Sequence, residues 1–220
     1  MIRTNNTHNT HIISIDSMPF KKLHSDIKEK LVALEIVTPT SFQTQSIPVI
    51  KSGTNVYCTA PEGSGKTTTL VLTTLQKLKC EAVGNAPRAI VLVENAEKAS
   101  EMFEIFRKYC RHTSLRVYYA DEQQHVDLLK SEIFEGVDIL IATPQMLKKL
   151  LLFNGVSISQ LKICSIDDAE FLVENSSYTA LISITQSIKK CQFVLYSEKI
   201  DPKLKRFESS FMEYAKIVAV

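Results

Sequence analysis

The sequence predicts one α/β domain, built on a mostly parallel sheet with helices on both faces. Seven short β-branched runs alternate with stretches of helical spacing, the pattern of repeated strand–helix–strand units. The runs are nearly uninterrupted in apolarity, as strands covered on both faces require. After residue 17 no composition break, repeat or low-complexity linker divides the chain.

Residues 1–17 are polar, aperiodic and rich in Asn, Thr and His, and are expected to form a flexible tail in which His8 and His11 are solvated. The domain is expected over residues 18–220. Its first strand, 55–60, runs through a glycine-containing loop into a helix over Lys66–Leu78. Strands at 89–94, 115–120, 137–143, 162–167 and 192–197 each precede a helix, at Ala96–Cys110, Gln124–Phe134, Pro144–Phe153, Tyr178–Ile188 and Lys203–Met212. The run 215–220 closes the sheet. In such sheets ligands sit at the carboxyl ends of the strands, so the residues just after each run are the candidates for chemistry.

Composition narrows the function. With 220 residues, 45% hydrophobic and 23% charged, the chain can bury a core without disulfides or metals. A net charge of +2 argues against a strongly electrostatic nucleic-acid binder, leaving room only for local patches. No apolar run approaches a transmembrane length, and the N-terminus lacks the apolar segment of a secretory signal, so no membrane partner is expected. Five scattered cysteines with no C-x-x-C spacing fit reduced thiols in a cytoplasmic protein rather than a disulfide framework or zinc site.

Two of only six glycines, Gly63 and Gly65, fall in the loop Ala60-Pro61-Glu62-Gly63-Ser64-Gly65-Lys66-Thr67. Glycines let the backbone curl so that several N–H groups converge on one anion, and the following helix N-terminus adds partial positive charge. Ala60, Gly63, Ser64, Gly65, Lys66 and Thr67 are therefore the candidate nucleotide site, with Lys66 reaching the β- and γ-phosphates and the Thr67 hydroxyl ligating Mg²⁺. A glycine turn capped by a Lys-Thr helix start is the alternative; the strand before and helix after favour the phosphate role. Without nucleotide, the Lys66 side chain is expected to point into solvent. About one hundred residues on, the strand 162–167 ends at Asp167, followed by Asp168, Ala169 and Glu170. An acid at that strand tip can hold Mg²⁺ opposite Thr67, and Asp168 can orient the attacking water. A helix N-cap would explain Asp167 alone, but not its pairing with the loop.

These residues resemble the first RecA-like domain of a DEAD-box RNA helicase, over about residues 18–220. Ala60–Thr67 is similar to the family's A-x-x-G-x-G-K-T loop, and Asp167-Asp168-Ala169-Glu170 occupies the place of the D-E-A-D box. Pro39-Thr40-Ser41-Phe42-Gln43 resembles the Q motif, which implies that Gln43 reads an adenine edge and that Phe20 packs on the base. Thr143-Pro144 resembles the start of the T-P-G-R motif that touches nucleic-acid phosphates, and Ser197 stands where the motif-coupling S-A-T begins. The resemblance implies a P-loop fold, ATP/ADP and Mg as ligands, Lys66, Asp167 and Asp168 as catalytic residues, and RNA as a partner. A small nucleotide kinase shares the loop, but Gln43 and the D-D-A-E segment fit helicases better.

The departures from the family have a direction. P-T-R-E-L-A is here Glu94-Asn95-Ala96-Glu97-Lys98-Ala99, the glycine pair becomes Ala120-Asp121 or its neighbours, T-P-G-R becomes Thr143-Pro144-Gln145-Met146, and S-A-T becomes Ser197-Glu198-Lys199. Residues that would cradle ATP and Mg²⁺ largely persist, whereas those that would grip a phosphate backbone are mostly replaced, which weakens counterion release on RNA binding. Asp168 is one methylene shorter than the family's glutamate. The chain stops where the family's first RecA-like domain ends, so the resemblance implies an ATP hydrolase that needs a second RecA-like domain, with its arginine finger, for turnover. Such a chain is not expected to unwind RNA alone. The competing reading is a degenerate helicase-like domain, with little catalysis, that acts as a nucleotide-dependent module for a protein partner.

Overall fold

The computed structural model describes residues 18–220; the predicted tail, with His8 and His11, lies outside the described residues. Seven strands, β1 (Val56–Thr59), β2 (Ala89–Leu92), β3 (Val117–Tyr119), β4 (Ile139–Ala142), β5 (Ile163–Ile166), β6 (Gln192–Ser197) and β7 (Lys216–Ala219), form one sheet in the order β3-β4-β2-β5-β6-β1-β7. Every pairing is parallel. The helices are α1 (Ser25–Ala33), α2 (Ser41–Lys51), α3 (Lys66–Leu78), α4 (Ala96–Cys110), α5 (Val126–Glu135), α6 (Pro144–Leu152), α7 (Asn175–Gln186) and the short α8 (Pro202–Lys205). No helix among the described residues is long and apolar enough to cross a membrane.

Strand alternation divides the core in two. Val56 and Cys58 of β1 pack with Leu31, Phe42, Leu70 and Phe106 of α1 to α4, while Tyr57 between them packs with Leu147 and Leu181 of α6 and α7 on the opposite face. Both faces are therefore apolar, as the unbroken runs require. The cysteines are free, four of them buried and Cys191 partly so.

Helices α3 and α4 fall on the bounds that the sequence spacing predicts. The spacing does not reveal α1 or α2; α2 carries Pro48 in its interior, where proline supplies no amide donor. The helix predicted over Lys203–Met212 is only α8 followed by a 3-10 turn at Arg206–Ser209. The Ser209 and Ser210 hydroxyls donate to the Arg206 and Phe207 carbonyls at 2.7 and 3.1 Å, competing for acceptors that a continuing helix would use. Phe211 then packs on Phe207 and Phe193, with ring centroids 4.9 and 4.7 Å apart.

The amino ends of β2, β3 and β4 are tied by a buried ion cluster. Asp138, wholly buried, accepts from Arg88 Nη2 at 2.7 Å and Val83 N–H at 3.1 Å on one oxygen. Its other oxygen accepts from Arg116 Nε at 2.9 Å and Arg116 N–H at 3.1 Å. Burial alone would raise the Asp138 pKa; the hydrogen bonds from Arg116, Arg88 and the Arg116 and Val83 amides outweigh it and hold the carboxyl below its ordinary value.

Candidate functional site

At the opposite, carboxyl end of the sheet, β1 leads into the glycine loop. Ala60 N–H donates to the Ser197 carbonyl at 3.2 Å, which hangs the start of the loop on β6. Gly65 closes it at φ +92°, a conformation that disfavours any side chain. A Cβ there would also lie 2.6 Å from Gln43 Nε2, so any side chain would displace the Gln43 amide. Helix α3 starts at the next residue without a side-chain cap, and its first-turn amides face the loop as donors for an anion.

The Lys66 side chain does not point into solvent. It is 7% exposed, and its ammonium donates to the Ala60 and Pro61 carbonyls at 2.7 and 3.0 Å. The physical reason is local: the curled loop turns these carbonyls inward, and a buried ammonium must be hydrogen-bonded. The lysine is thereby held across the space that the loop encloses.

Thr40 and Gln43 brace this loop from α2. The Thr40 hydroxyl accepts from Gln43 N–H at 3.1 Å and donates to the Ser64 carbonyl at 2.7 Å. Gln43 Oε1 returns to Thr40 N–H at 3.0 Å, completing a capping box. Gln43 is 3% exposed, its oxygen engaged in the cap and its amide nitrogen against Gly65. Phe20 is fully buried within the core on this side of the sheet, so no ring face is open for adenine. In the short 3-10 segment Phe20–Lys22 the apolar ring is withdrawn from water while Lys21 and Lys22 stay exposed.

Asp167 follows β5, with its amide bonded to the Leu92 carbonyl at 3.0 Å. With Thr67, Val93, Glu94, Lys98 and Asp168 it lines a cavity of about 110 Å³. One carboxylate oxygen, Oδ1, is buried without a hydrogen-bond partner. Burial and then the Asp168 charge push its pKa up to about 7, against the opposing pull of Lys66, Lys98 and a Thr67 hydrogen bond. Asp168 is exposed and sits at φ 45°, ψ 57°, a left-handed turn that aims the chain from the strand into the 3-10 segment Ala169–Val173.

The sequence model described as DEAD/DEAH box helicase matches residues 40–202. The chain belongs to that family. It is 30% identical over 181 residues to the ATP-dependent RNA helicase ddx54 of Dictyostelium discoideum, covering 82% of this chain and 17% of that protein. A DEAD box protein from Methanococcus jannaschii superposes with a TM-score of 0.82 at 16% identity, over 90% of this chain and 54% of that one. Dbp5 of S. cerevisiae, solved bound to gle1 and ip6, gives a TM-score of 0.78 at 17% identity, over 90% and 50%. The chain thus spans about half the length of these solved relatives, and they share its RecA-like fold.

Within the family's pattern the remaining motif residues are placed as follows. Thr143 is 2% exposed; its hydroxyl accepts from Met146 N–H at 3.2 Å, capping α6, and donates to the Glu122 carboxylate. Pro144, also buried, is the first residue of that helix, where a missing N–H costs nothing. Neither side chain is free to meet a phosphate, and a carboxylate lies over the threonine. Ser197, 2% exposed, ends β6. The next residue, Glu198, donates its N–H to Glu170 Oε1 at 2.6 Å, joining the D-D-A-E segment to the S-E-K segment.

Two contributors have no role assigned by the motifs: Thr40, which lies inside the Q-like segment, and Glu122. Thr40 carries a legible signal, the T-x-x-Q spacing of a capping box ahead of an apolar run. Glu122 carries none, because its contact with Thr143 joins loops after different strands.

Proposed function

We propose that residues 18–220 form the ATP- and Mg²⁺-binding RecA-like domain of a DEAD-box-type, ATP-dependent RNA helicase, and that this segment alone does not unwind RNA. The observation that carries the reading is the convergence of Lys66, Thr67 and Asp167 on one corner of the sheet, with a buried carboxylate oxygen lacking any hydrogen-bond partner. Such an oxygen fits a cation better than a packing role, since burying it otherwise costs free energy.

In this reading the loop amides from Gly63 to Thr67 and the α3 N-terminus hold the phosphates. Lys66 exchanges the Ala60 and Pro61 carbonyls for phosphate oxygens. Thr67 and Asp167 hold Mg²⁺, which when bound would neutralise charge on the transferred phosphoryl group. Asp168 orients water, over a reach one methylene shorter than a glutamate gives. The Glu170 link to Glu198 N–H couples this corner to the segment that follows β6. Gln43 contributes by bracing Gly65 and offering its amide at the loop edge.

A second reading, a degenerate helicase-like module that binds nucleotide and contacts a protein partner, is favoured by the Glu122–Thr143 contact, which sets negative charge where RNA phosphates would approach. Two measurements separate the readings. Saturating ATP analogue with Mg²⁺ should raise the melting temperature by roughly 5 °C or more; no shift with Lys66 intact would remove the nucleotide site from both. RNA-stimulated phosphate release, with a family second domain supplied in trans, supports the helicase reading. Nucleotide binding without that stimulation supports the module.

A further inference from the structure

At the far end of α3, about 20 Å from Lys66 along the helix axis, a second chemical grouping stands outside the candidate nucleotide corner. His24, Asp26 and Cys80 offer ligand atoms that all lie within 4.8 Å of one another, the one such group of three among the described residues. His24 Nδ1 and Asp26 Oδ1 are 3.3 Å apart. The imidazole nitrogen is nevertheless buried without a hydrogen-bond partner, so the two atoms are close but not aligned as donor and acceptor. That is the relation expected of two ligands aimed at a shared third point: a tetrahedral ion bonded to nitrogen and oxygen at about 2.0–2.1 Å holds them about 3.3 Å apart.

The surrounding structure presets these side chains. His24 caps α1 and donates its backbone N–H to Gln76 Oε1 on α3 at 2.7 Å. Ser25 donates its hydroxyl to Asp26 Oδ1 at 3.0 Å. After α3, Lys79 and Cys80 both take left-handed conformations, φ 58° and 56°. Cys80 ends up 3% exposed, with only a long 3.9 Å contact from its sulfur to the Leu75 carbonyl. Asp26 also lines a cavity of about 400 Å³ with Tyr109, His112 and Thr113, which gives an entry path and room for water.

We propose that His24, Asp26 and Cys80 form a three-ligand site for a borderline-soft divalent ion of the zinc class, with water from the adjoining cavity at the fourth corner. The nitrogen, oxygen and sulfur donor set suits zinc or cobalt and not the hard cations Mg²⁺ and Ca²⁺. On binding, the Cys80 thiol gives its proton to solvent, and the thiolate and carboxylate balance the two positive charges of the ion. A bound ion would staple α1 to the end of the helix that begins at the glycine loop. Because the ligands come from positions 24, 26 and 80, cysteine spacing does not reveal the site.

The test is titration of the full chain with Co²⁺, read by optical absorption, followed by displacement with Zn²⁺. The wild type is expected to show a thiolate-to-cobalt charge-transfer band that Zn²⁺ abolishes, with one proton released per Zn²⁺. Cys80→Ser should lose the band. His24→Ala and Asp26→Asn, at partly exposed positions, should each weaken Co²⁺ binding about ten-fold or more, and they carry the test if Cys80→Ser does not fold. The double variant His8→Ala, His11→Ala should keep the band. No band at millimolar Co²⁺, a band that survives Cys80→Ser, affinity unchanged in both His24→Ala and Asp26→Asn, or loss of the band in the double tail variant would each overturn the assignment.

Discussion

Two carboxylates at opposite ends of the same sheet are treated in opposite ways. Asp138, at the amino ends of β2 and β4, is wholly buried and has both oxygens filled by donors from Arg88, Arg116 and Val83. Asp167, at the carboxyl end of β5, keeps a buried oxygen with no partner and a pKa pushed up to about 7 by burial and its neighbour Asp168. A satisfied buried charge holds a fold together, whereas an unsatisfied one opposes folding and persists where a ligand completes it. The contrast separates architecture from chemistry without appeal to motif names.

The largest effect is expected at Asp138. Asp138→Ala leaves Arg88 buried and unpaired and should lower stability by about 3–5 kcal/mol, read as a reduced denaturant midpoint, while the nucleotide affinity of the folded fraction stays unchanged. The sign with pH follows from its depressed pKa. Its stabilisation is present above the ordinary carboxylate range and is lost as pH falls below about 4, through the folded-state pKa. Asp138→Asn should therefore flatten the acid limb of a stability-against-pH curve, and an unaltered limb would count against this assignment.

At the other end, Lys66→Ala should weaken ADP·Mg binding about 100-fold, or roughly 2.7 kcal/mol. It should also cost about 1 kcal/mol of stability, because the ammonium's bonds to Ala60 and Pro61 are lost. Thr40→Ala removes the α2 cap and the tether to Ser64, for a loss of about 1 kcal/mol by thermal melting. One effect of similar size carries the opposite sign. The raised pKa of Asp167 means that its charge opposes folding once pH climbs from about 4 past 7, so Asp167→Asn should raise the melting temperature at pH 8 by about 2–4 °C.

Much of this was legible in the residues, for a definable reason. The glycine loop and Asp167 each follow a strand directly, Lys66 and Thr67 open the helix after the loop, and their meaning rests on local spacing plus the topology of a parallel sheet. The Arg88–Asp138–Arg116 cluster was not legible, since it joins the starts of three strands and nothing in the chain marks the pairing. Thr143 kept its motif position while Glu122 took its hydroxyl, a contact between loops that spacing does not encode. Phe20 matched a local pattern, but the pattern does not say which way the ring faces, and the core claimed it. Lys66 fell to a simpler effect: carbonyls turned inward by the glycines give an ammonium partners that solvent exposure would forgo.

The corner formed by Lys66, Thr67 and Asp167 is expected to take a nucleotide phosphate together with a magnesium ion. Calorimetric titration of this chain with ADP and a non-hydrolysable ATP analogue, with and without Mg²⁺, tests it most directly when Asp167→Asn is run beside the wild type. The expected result is binding that Mg²⁺ strengthens in the wild type and leaves nearly unchanged in Asp167→Asn. No heat of binding up to millimolar nucleotide, or the same Mg²⁺ dependence in both proteins, would contradict it.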